Sequence, residues 1–266
     1  MTSLADLASL RPAELRALIR RGGWRGVTAG LAPGYVQTNL VIVPRDAAFD
    51  FLLFCVRNPK PCPIVEITDP GSWEPRASSP GSDLRCDIPR YRVFRDGRLE
   101  GEVTDLTSLW RNDLVAFLLG CSFTFEYALL SAGLAVRGLE SDNTFSAFTT
   151  NVPCAPAGRF HGRMVVTMRP MTPAQAVQAV RVTSRFPLAH GAPVHIGDPV
   201  AIGIHDLARP DFGAPLEVHP GEVPVFWACG ITPQVVALES GVPFMITHVP
   251  GHMFVTDLKD EALAVR

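Results

Sequence analysis

Charge is scarce in this sequence, and neither sign prevails. Lys and Arg number 24, Asp and Glu 26, the formal net charge is −2, and 19% of residues are charged. A nucleic-acid partner needs a basic footprint, and none is present. The six cysteines, at 55, 62, 86, 121, 154 and 229, form no C-x-x-C pair, and no apolar leader precedes them. These absences argue against a disulfide framework and a structural zinc site. The glycine-rich stretches, Gly22-Gly23 and Gly26 to Gly34, contain neither G-x-G-x-x-G nor a P-loop, so nucleotide binding has no support. Internal repeats and charge-block linkers are lacking too. The Arg-rich start (Arg11, Arg16, Arg20, Arg21) is interrupted by Asp6 and Glu14 and reads as an amphipathic helix, not a transit peptide.

Long apolar runs are nearly absent. The exception, Leu114 to Val136, carries one charge, Glu126, and is long enough to span a bilayer. A carboxylate near the middle of a span is costly. Gly120, Ser122 and Thr124 also divide the run, so it reads as two buried segments. The expectation is a soluble cytoplasmic protein with no membrane association.

What is present is hydrophobic and rich in turns. Apolar residues make 47% of the chain, enough to bury a core. Glycines number 22 and prolines 24 of 266 residues, against a usual combined share of roughly 12%. Helices are predicted over Pro12–Arg21, Ala47–Val56, Leu109–Leu119, Phe123–Ala132, Pro173–Arg185 and Thr232–Ser240. Thr172 and Thr232 are the expected caps of the last two. Strands are predicted over Val36–Val43, Pro61–Thr68, Arg163–Met168, Val194–Ile196, Val200–Ile204, Val223–Ala228, Phe244–Thr247 and Met253–Thr256. Asp96-Gly97 between Tyr91–Arg95 and Arg98–Val103 signals a hairpin. Trp73–Asp83 and Arg137–Phe160 read as irregular. Strands and helices mix without strict βαβ alternation. The fold class is therefore α+β, with mixed sheets of short strands and helices, loop-rich and compact. A single domain over 1–266, or two interleaved lobes, is expected.

Two segments share one physical design. Gly120 to Glu126 sets Cys121 and Ser122 at a helix start; Trp227 to Gln234 sets Cys229 and Gly230 between a strand and a helix. Unpaired N–H groups and the dipole at a helix start attract anions and lower a thiol's pKa. Each segment reads either as a carboxylate site with a reactive thiol, or as a buried cysteine packing like a small hydrophobe beside an N-cap. Glu126, alone in its apolar stretch, is either paired with a cation or poised for proton transfer. Arg169 and Arg85 are candidate carboxylate clamps. Gln37 and Asn39 share a face with Tyr35 by period two. His190, His195, Asp198, His205 and Asp206 offer metal ligands in a turn-rich region, but at no standard zinc spacing. His248 and His252 form H-x-x-x-H around Pro250-Gly251, which forbids a metalloprotease helix. They read as turn histidines bonded to backbone.

Several phrases together resemble the D-glutamate cyclase family. They include Tyr35-Val36-Gln37-Thr38-Asn39-Leu40, Asn58-Pro59-Lys60-Pro61-Cys62-Pro63, Asp83 to Tyr91, Gly120 to Glu126, Pro156-Ala157-Gly158 and Met164 to Pro170. His190 to Pro199, Glu222 to Gln234 and Thr247 to Met253 complete the set, which covers about 20 to 258. Where the family carries Met-Tyr-Arg-Thr-Asn, this chain has Phe148-Thr149-Thr150-Asn151.

The resemblance implies a hydro-lyase that dehydrates D-glutamate to 5-oxo-D-proline by lactam formation. From the chemistry of that step, Glu126 or His195 would transfer protons, and Arg169 or Arg85 would anchor a carboxylate. N–H groups after Cys121 and Cys229 would receive the oxyanion. A thioester on Cys121 is a second route. Ser122, Gly230, Gln37 and Asn39 complete the expected binding residues. Two other readings stay open: water elimination from another small carboxylic acid, and a carboxylate-binding protein without turnover. The expected partner is a small carboxylate or amino-acid substrate. No cofactor is identifiable, while a divalent cation and homo-oligomerisation are left open.

Overall fold

The computed structural model describes residues 4–137 and 145–265. Two short helices, α1 (Leu4–Ala8) and α2 (Pro12–Arg20), precede strand β1 (Tyr35–Pro44) and helix α3 (Arg45–Arg57). Next come β2 (Ile64–Ile67), β3 (Tyr91–Arg95), β4 (Arg98–Val103), β5 (Leu114–Gly120) and α4 (Phe123–Ser131). The middle of the chain gives β6 (Ser146–Pro153), β7 (Arg163–Met171), α5 (Pro173–Thr183), β8 (His195–Ile196) and β9 (Phe212–Gly213). It closes with β10 (Val223–Ala228), α6 (Thr232–Glu239), β11 (Phe244–His248) and β12 (Phe254–Lys259).

The strands form two antiparallel sheets. One has seven strands in the order β2-β5-β1-β11-β3-β4, with β12 also pairing with β1; the other has five, β8-β10-β7-β6-β9. The second sheet is thus formed by chain lying between β5 and β11 of the first. The α+β class with short, mixed elements is what the structure shows.

The first sheet is buried on both faces, and its residues sort by period two. Val41, Val43, Phe117 and Leu119 pack under α3 with Phe51, Phe54 and Phe160. Leu40, Ile42, Ala116 and Leu118 face the other way, onto Leu84, Ile88 and Tyr91. In the second sheet Val225 and Trp227 pack with Phe125 and Leu129 of α4 and Ala176 and Ala179 of α5. Helix α4 therefore carries the connection from the first sheet onto a face of the second.

Four expectations are corrected. Leu109–Leu119 is not a helix: Leu114–Gly120 is a strand with every residue buried, paired with β1 from Leu114 opposite Pro44 to Gly120 opposite Thr38. A continuous apolar run has no period to tell strand from helix, and pairing on both sides decided it. Within Arg137–Phe160, residues 146–153 form β6; residues 138–144 lie outside the described ones. Val200–Ile204 is no strand, because Asp198 accepts the Val200 N–H and Pro199 opens a 3₁₀ turn. Thr232 does not cap α6; its hydroxyl donates to Cys229 O and accepts the Val165 N–H, tying the helix to β7. Thr172, by contrast, caps α5 in a capping box with Gln175. Among the described residues no helix is long and apolar enough to cross a membrane.

Asp260 opens the turn after β12, donating its N–H to Gly34 O at 3.1 Å. Burial, with Glu261 beside it, pushes its carboxyl up to about 7 against the pull of Lys259. The unfolded chain releases this proton near the ordinary Asp value while the native state holds it. Stability is therefore full below that value and falls as pH rises toward 7. Asp260→Asn is expected to flatten this slope between pH 5 and 8 and to gain roughly 2–4 kcal/mol at pH 8. Urea unfolding across that range checks it; parallel curves for variant and parent would refute it.

Candidate functional site

The site forms where β5 runs into α4, because that junction delivers Cys121, Ser122 and Glu126 to the second sheet. Glu126 in the first turn of α4 and Arg169 on β7 meet as an ion pair, with Glu126 5% and Arg169 3% exposed. The same Arg169 Nη2 donates to Ser122 Oγ at 3.0 Å. The guanidinium also lies over the rings of Phe125 (5.4 Å) and Trp227 (5.2 Å), which fix its plane. Its other terminal nitrogen, Nη1, is buried and has no hydrogen-bond partner among the described residues. Burial pushes the Glu126 carboxyl up, and the adjacent Arg169 only partly offsets this, so the acid sits above the usual carboxylate range.

Arg169 lines a cleft together with Asn39, Cys121, Ser122, Cys229 and His248, and the unclaimed space among them is about 30 Å³. Phe123 and Phe145 make the outer wall, half-buried. Two glycines set its inner dimensions. A Cβ on Gly120 would overlap the Leu188 carbonyl, so β5 ends in close contact with the 187–189 turn. A Cβ on Gly230 would overlap the Asn39 amide. That amide donates to Gly120 O at 2.6 Å, clasping the end of β5.

Both thiols sit at helix starts as expected, and each receives the N–H two residues on, from Phe123 and from Ile231. Those contacts favour thiolate. Burial outweighs them, so both thiols lie above the ordinary value and are neutral at physiological pH. Burial thus overturns the lowered thiol pKa expected at a helix start.

The sequence reads His248 as a turn histidine bonded to backbone; the backbone bond is present, but the residue lies on a strand and lines the cleft. It is 1% exposed, on β11, and its Nδ1 lies 3.2 Å from the Leu40 N–H, nearer than the Leu40 carbonyl at 3.4 Å. An Nδ1 that accepts leaves the ring proton on Nε2. Burial pushes the ring pKa down to about 3, so His248 stays a neutral Nε2–H donor. H-x-x-x-H flagged the residue, but its partner lies 208 positions away.

The structure brings together Glu126, Arg169, Ser122, Cys121, Cys229, Gly230 and Asn39. It does not bring Arg85 or His195. Arg85 is held by Asp83, two residues before it, at 2.7 and 2.9 Å, and stacks on Trp73 at 3.9 Å. His195, on β8, bonds Asp198 O at 2.7 Å and packs on Phe226, so its ring is engaged locally. Gln37 lines a neighbouring cavity that it shares with Glu126. No three His, Cys, Asp or Glu residues among those described converge as metal ligands.

A small apolar cleft with a buried acid of raised pKa and a guanidinium one partner short is the design of an enzyme site. The chain belongs to the D-glutamate cyclase family, whose model matches residues 115–257. Proteins titled "Putative hydro-lyase" are similar throughout. One from Stutzerimonas stutzeri is 58% identical over 99% of both chains. One from Geobacillus kaustophilus is 57% identical over 100% of both, and one from Thermoanaerobacter sp. 60% over 99% of this chain and 100% of its own. A solved nitrogen repressor-like protein from Methanococcus jannaschii aligns over 94% of this chain and 98% of its own. Its 12% identity and TM-score of 0.42 are too weak to bear on function.

Removing one partner of a buried pair strands the other charge. Arg169→Met is expected to cost about 3–5 kcal/mol in urea unfolding at pH 8, and Arg169→Met with Glu126→Leu to regain most of it. A single variant as stable as the parent would contradict the ion pair described.

Proposed function

We propose that the chain closes D-glutamate to 5-oxo-D-proline, joining the α-amine to the γ-carboxyl and expelling water. The observation that carries this reading is the buried Arg169 Nη1, a charged donor without a protein partner, adjoining a carboxyl made more basic by burial. A substrate carboxylate completes the guanidinium. A glutamate is larger than the space in the cleft, and it enters by turning the Phe123 and Phe145 rings outward.

The chemistry assigns the remaining roles. The α-ammonium must lose a proton before its nitrogen can attack, and Glu126 takes it. The nitrogen then bonds to the γ-carboxyl carbon, and charge gathers on the carboxyl oxygen. His248 Nε2–H, neutral and already oriented by Leu40, donates to that oxygen. Glu126 returns its proton to the departing oxygen, and a second proton from the nitrogen completes the water. Protons taken from nitrogen equal protons given to oxygen, so one acid suffices as shuttle. The five-membered ring keeps amine and carboxyl close, and the cleft holds them in the reactive conformer. Neutral, buried Cys121 and Cys229 favour this direct closure over the thioester route.

Incubation of the purified protein with D-glutamate and with L-glutamate, followed by chiral product analysis, tests the reading. 5-Oxo-D-proline is expected from the D-isomer. Glu126→Gln is expected to lower the rate by roughly 10²-fold or more with the fold intact by circular dichroism. His248→Phe is expected to lower kcat by roughly 10²-fold with little change in KM. Absence of 5-oxoproline with the parent protein, or full activity in Glu126→Gln, would sink the proposal.

A further inference from the structure

Beside the Glu126–Arg169 pair lies a second cavity, of about 240 Å³, which the reaction above does not use. It shares Glu126 and Phe123 with the site, and Gln37, Asp260, Tyr35 and Tyr127 complete the part of its wall that carries chemistry. Gln37 is 3% and Asp260 5% exposed. Gln37 Nε2 donates to the carbonyls of Thr28 (3.0 Å) and Leu31 (2.9 Å), which fixes the amide and leaves Oε1 as an acceptor. Gln37 Oε1 and Asp260 Oδ1 are both buried, and both lack a hydrogen-bond partner among the described residues. Two orphaned acceptors on residues that line one cavity call for a guest that brings N–H or O–H donors.

The charge and the rings narrow the class. The cavity is lined by two carboxyls, Glu126 and Asp260, and by no Lys or Arg. The cations next to it are engaged elsewhere: Arg169 holds Glu126, and Lys259 Nζ sits 3.5 Å from the centroid of the Tyr35 ring. Tyr35 is thus already seen serving as a cation face. Three aromatic rings with carboxyl and amide acceptors are the surroundings in which an organic ammonium is bound. The volume is too large for a bare monovalent ion. We propose that this cavity binds a small primary alkylammonium ion, whose N–H groups meet Gln37 Oε1 and Asp260 and whose alkyl part lies against Phe123 and Tyr127. The occupant is distinct from the substrate of the reaction assigned to the neighbouring cleft, although the two sites share Glu126 and Phe123.

Calorimetric titration of the full chain at pH 8 with ethylammonium chloride tests this. Sodium chloride, potassium chloride and tetramethylammonium chloride at equal ionic strength are the comparisons. Saturable binding is expected for ethylammonium alone. Asp260→Asn, close in shape, is expected to weaken it at least tenfold. Tyr127→Ala, which removes a half-exposed ring, is expected to weaken it several-fold without unfolding the chain. No saturable binding, as for a cavity that holds water only, would overturn the proposal. So would equal binding of potassium, which needs no N–H donor, or of tetramethylammonium, which has none. Undiminished ethylammonium binding in both variants would place the ion elsewhere and overturn it equally.

Discussion

A guanidinium and a carboxylate that meet out of water lose hydration worth several kcal/mol each, and only good geometry offsets the loss. Arg169 and Glu126 meet this condition through parts of the chain far apart in sequence. Glu126 comes from the helix that leaves the first sheet, and Arg169 from a central strand of the second. Phe125 and Trp227 hold the guanidinium plane, and Ser122 takes a further donor. The two sheets must therefore sit in one fixed relation for the pair to form. Helix α4 supplies that relation by packing its apolar side on Trp227 and Val225. The pair engages one end of the guanidinium and leaves the other buried without a partner among the described residues.

Backbone proximity is the second requirement. The high glycine content means little as a percentage, but two glycines have distinct jobs. Gly120 lets the 187–189 turn lie against the end of β5, and Gly230 lets the Asn39 amide reach across. Asn39 in turn holds the Gly120 carbonyl, so the two close approaches are joined by one side chain. Widening either would move Cys121 and Ser122, and with them the start of α4.

Much of this was readable from local signals. The Asp96-Gly97 hairpin, the Thr172 capping box and helix α3, stopped by Asn58-Pro59, are decided within a few residues, and they appear as expected. Glu126 was conspicuous because a lone carboxylate in an apolar run needs a reason. Its partner Arg169 could be suspected but not paired, since the contact spans 43 positions. Arg85 and His195 misled for the opposite reason: each finds its partner two or three residues away, in Asp83 and at the Asp198 carbonyl. A polar residue satisfied by its own turn has nothing left for a ligand. β5 was misread because burial on both faces erases the alternation that marks a strand. His248 was underrated because its tautomer depends on β1 and β11 lying side by side, a property of the sheet and not of the motif.

Burial moves Glu126, paired with Arg169 beside the cleft, and His248, on the cleft wall, in opposite directions. It raises Glu126, because the charged form of an acid is the anion, and lowers His248, because the charged form of imidazole is the cation. The same exclusion of water thus makes the acid a better proton acceptor and keeps the histidine from becoming one. Environments that push two groups apart separate their roles. In the ring closure proposed above, Glu126 would carry the proton and His248 would polarise without exchanging one. The thiols of Cys121 and Cys229, neutral for the same reason, supply shape and weak polarity at the wall. In the proposed ring closure no net proton comes from solvent, so a buried cleft with one mobile proton and fixed donors would suffice, and the Arg169 guanidinium, already fixed in place, would take the substrate carboxylate as it loses its water.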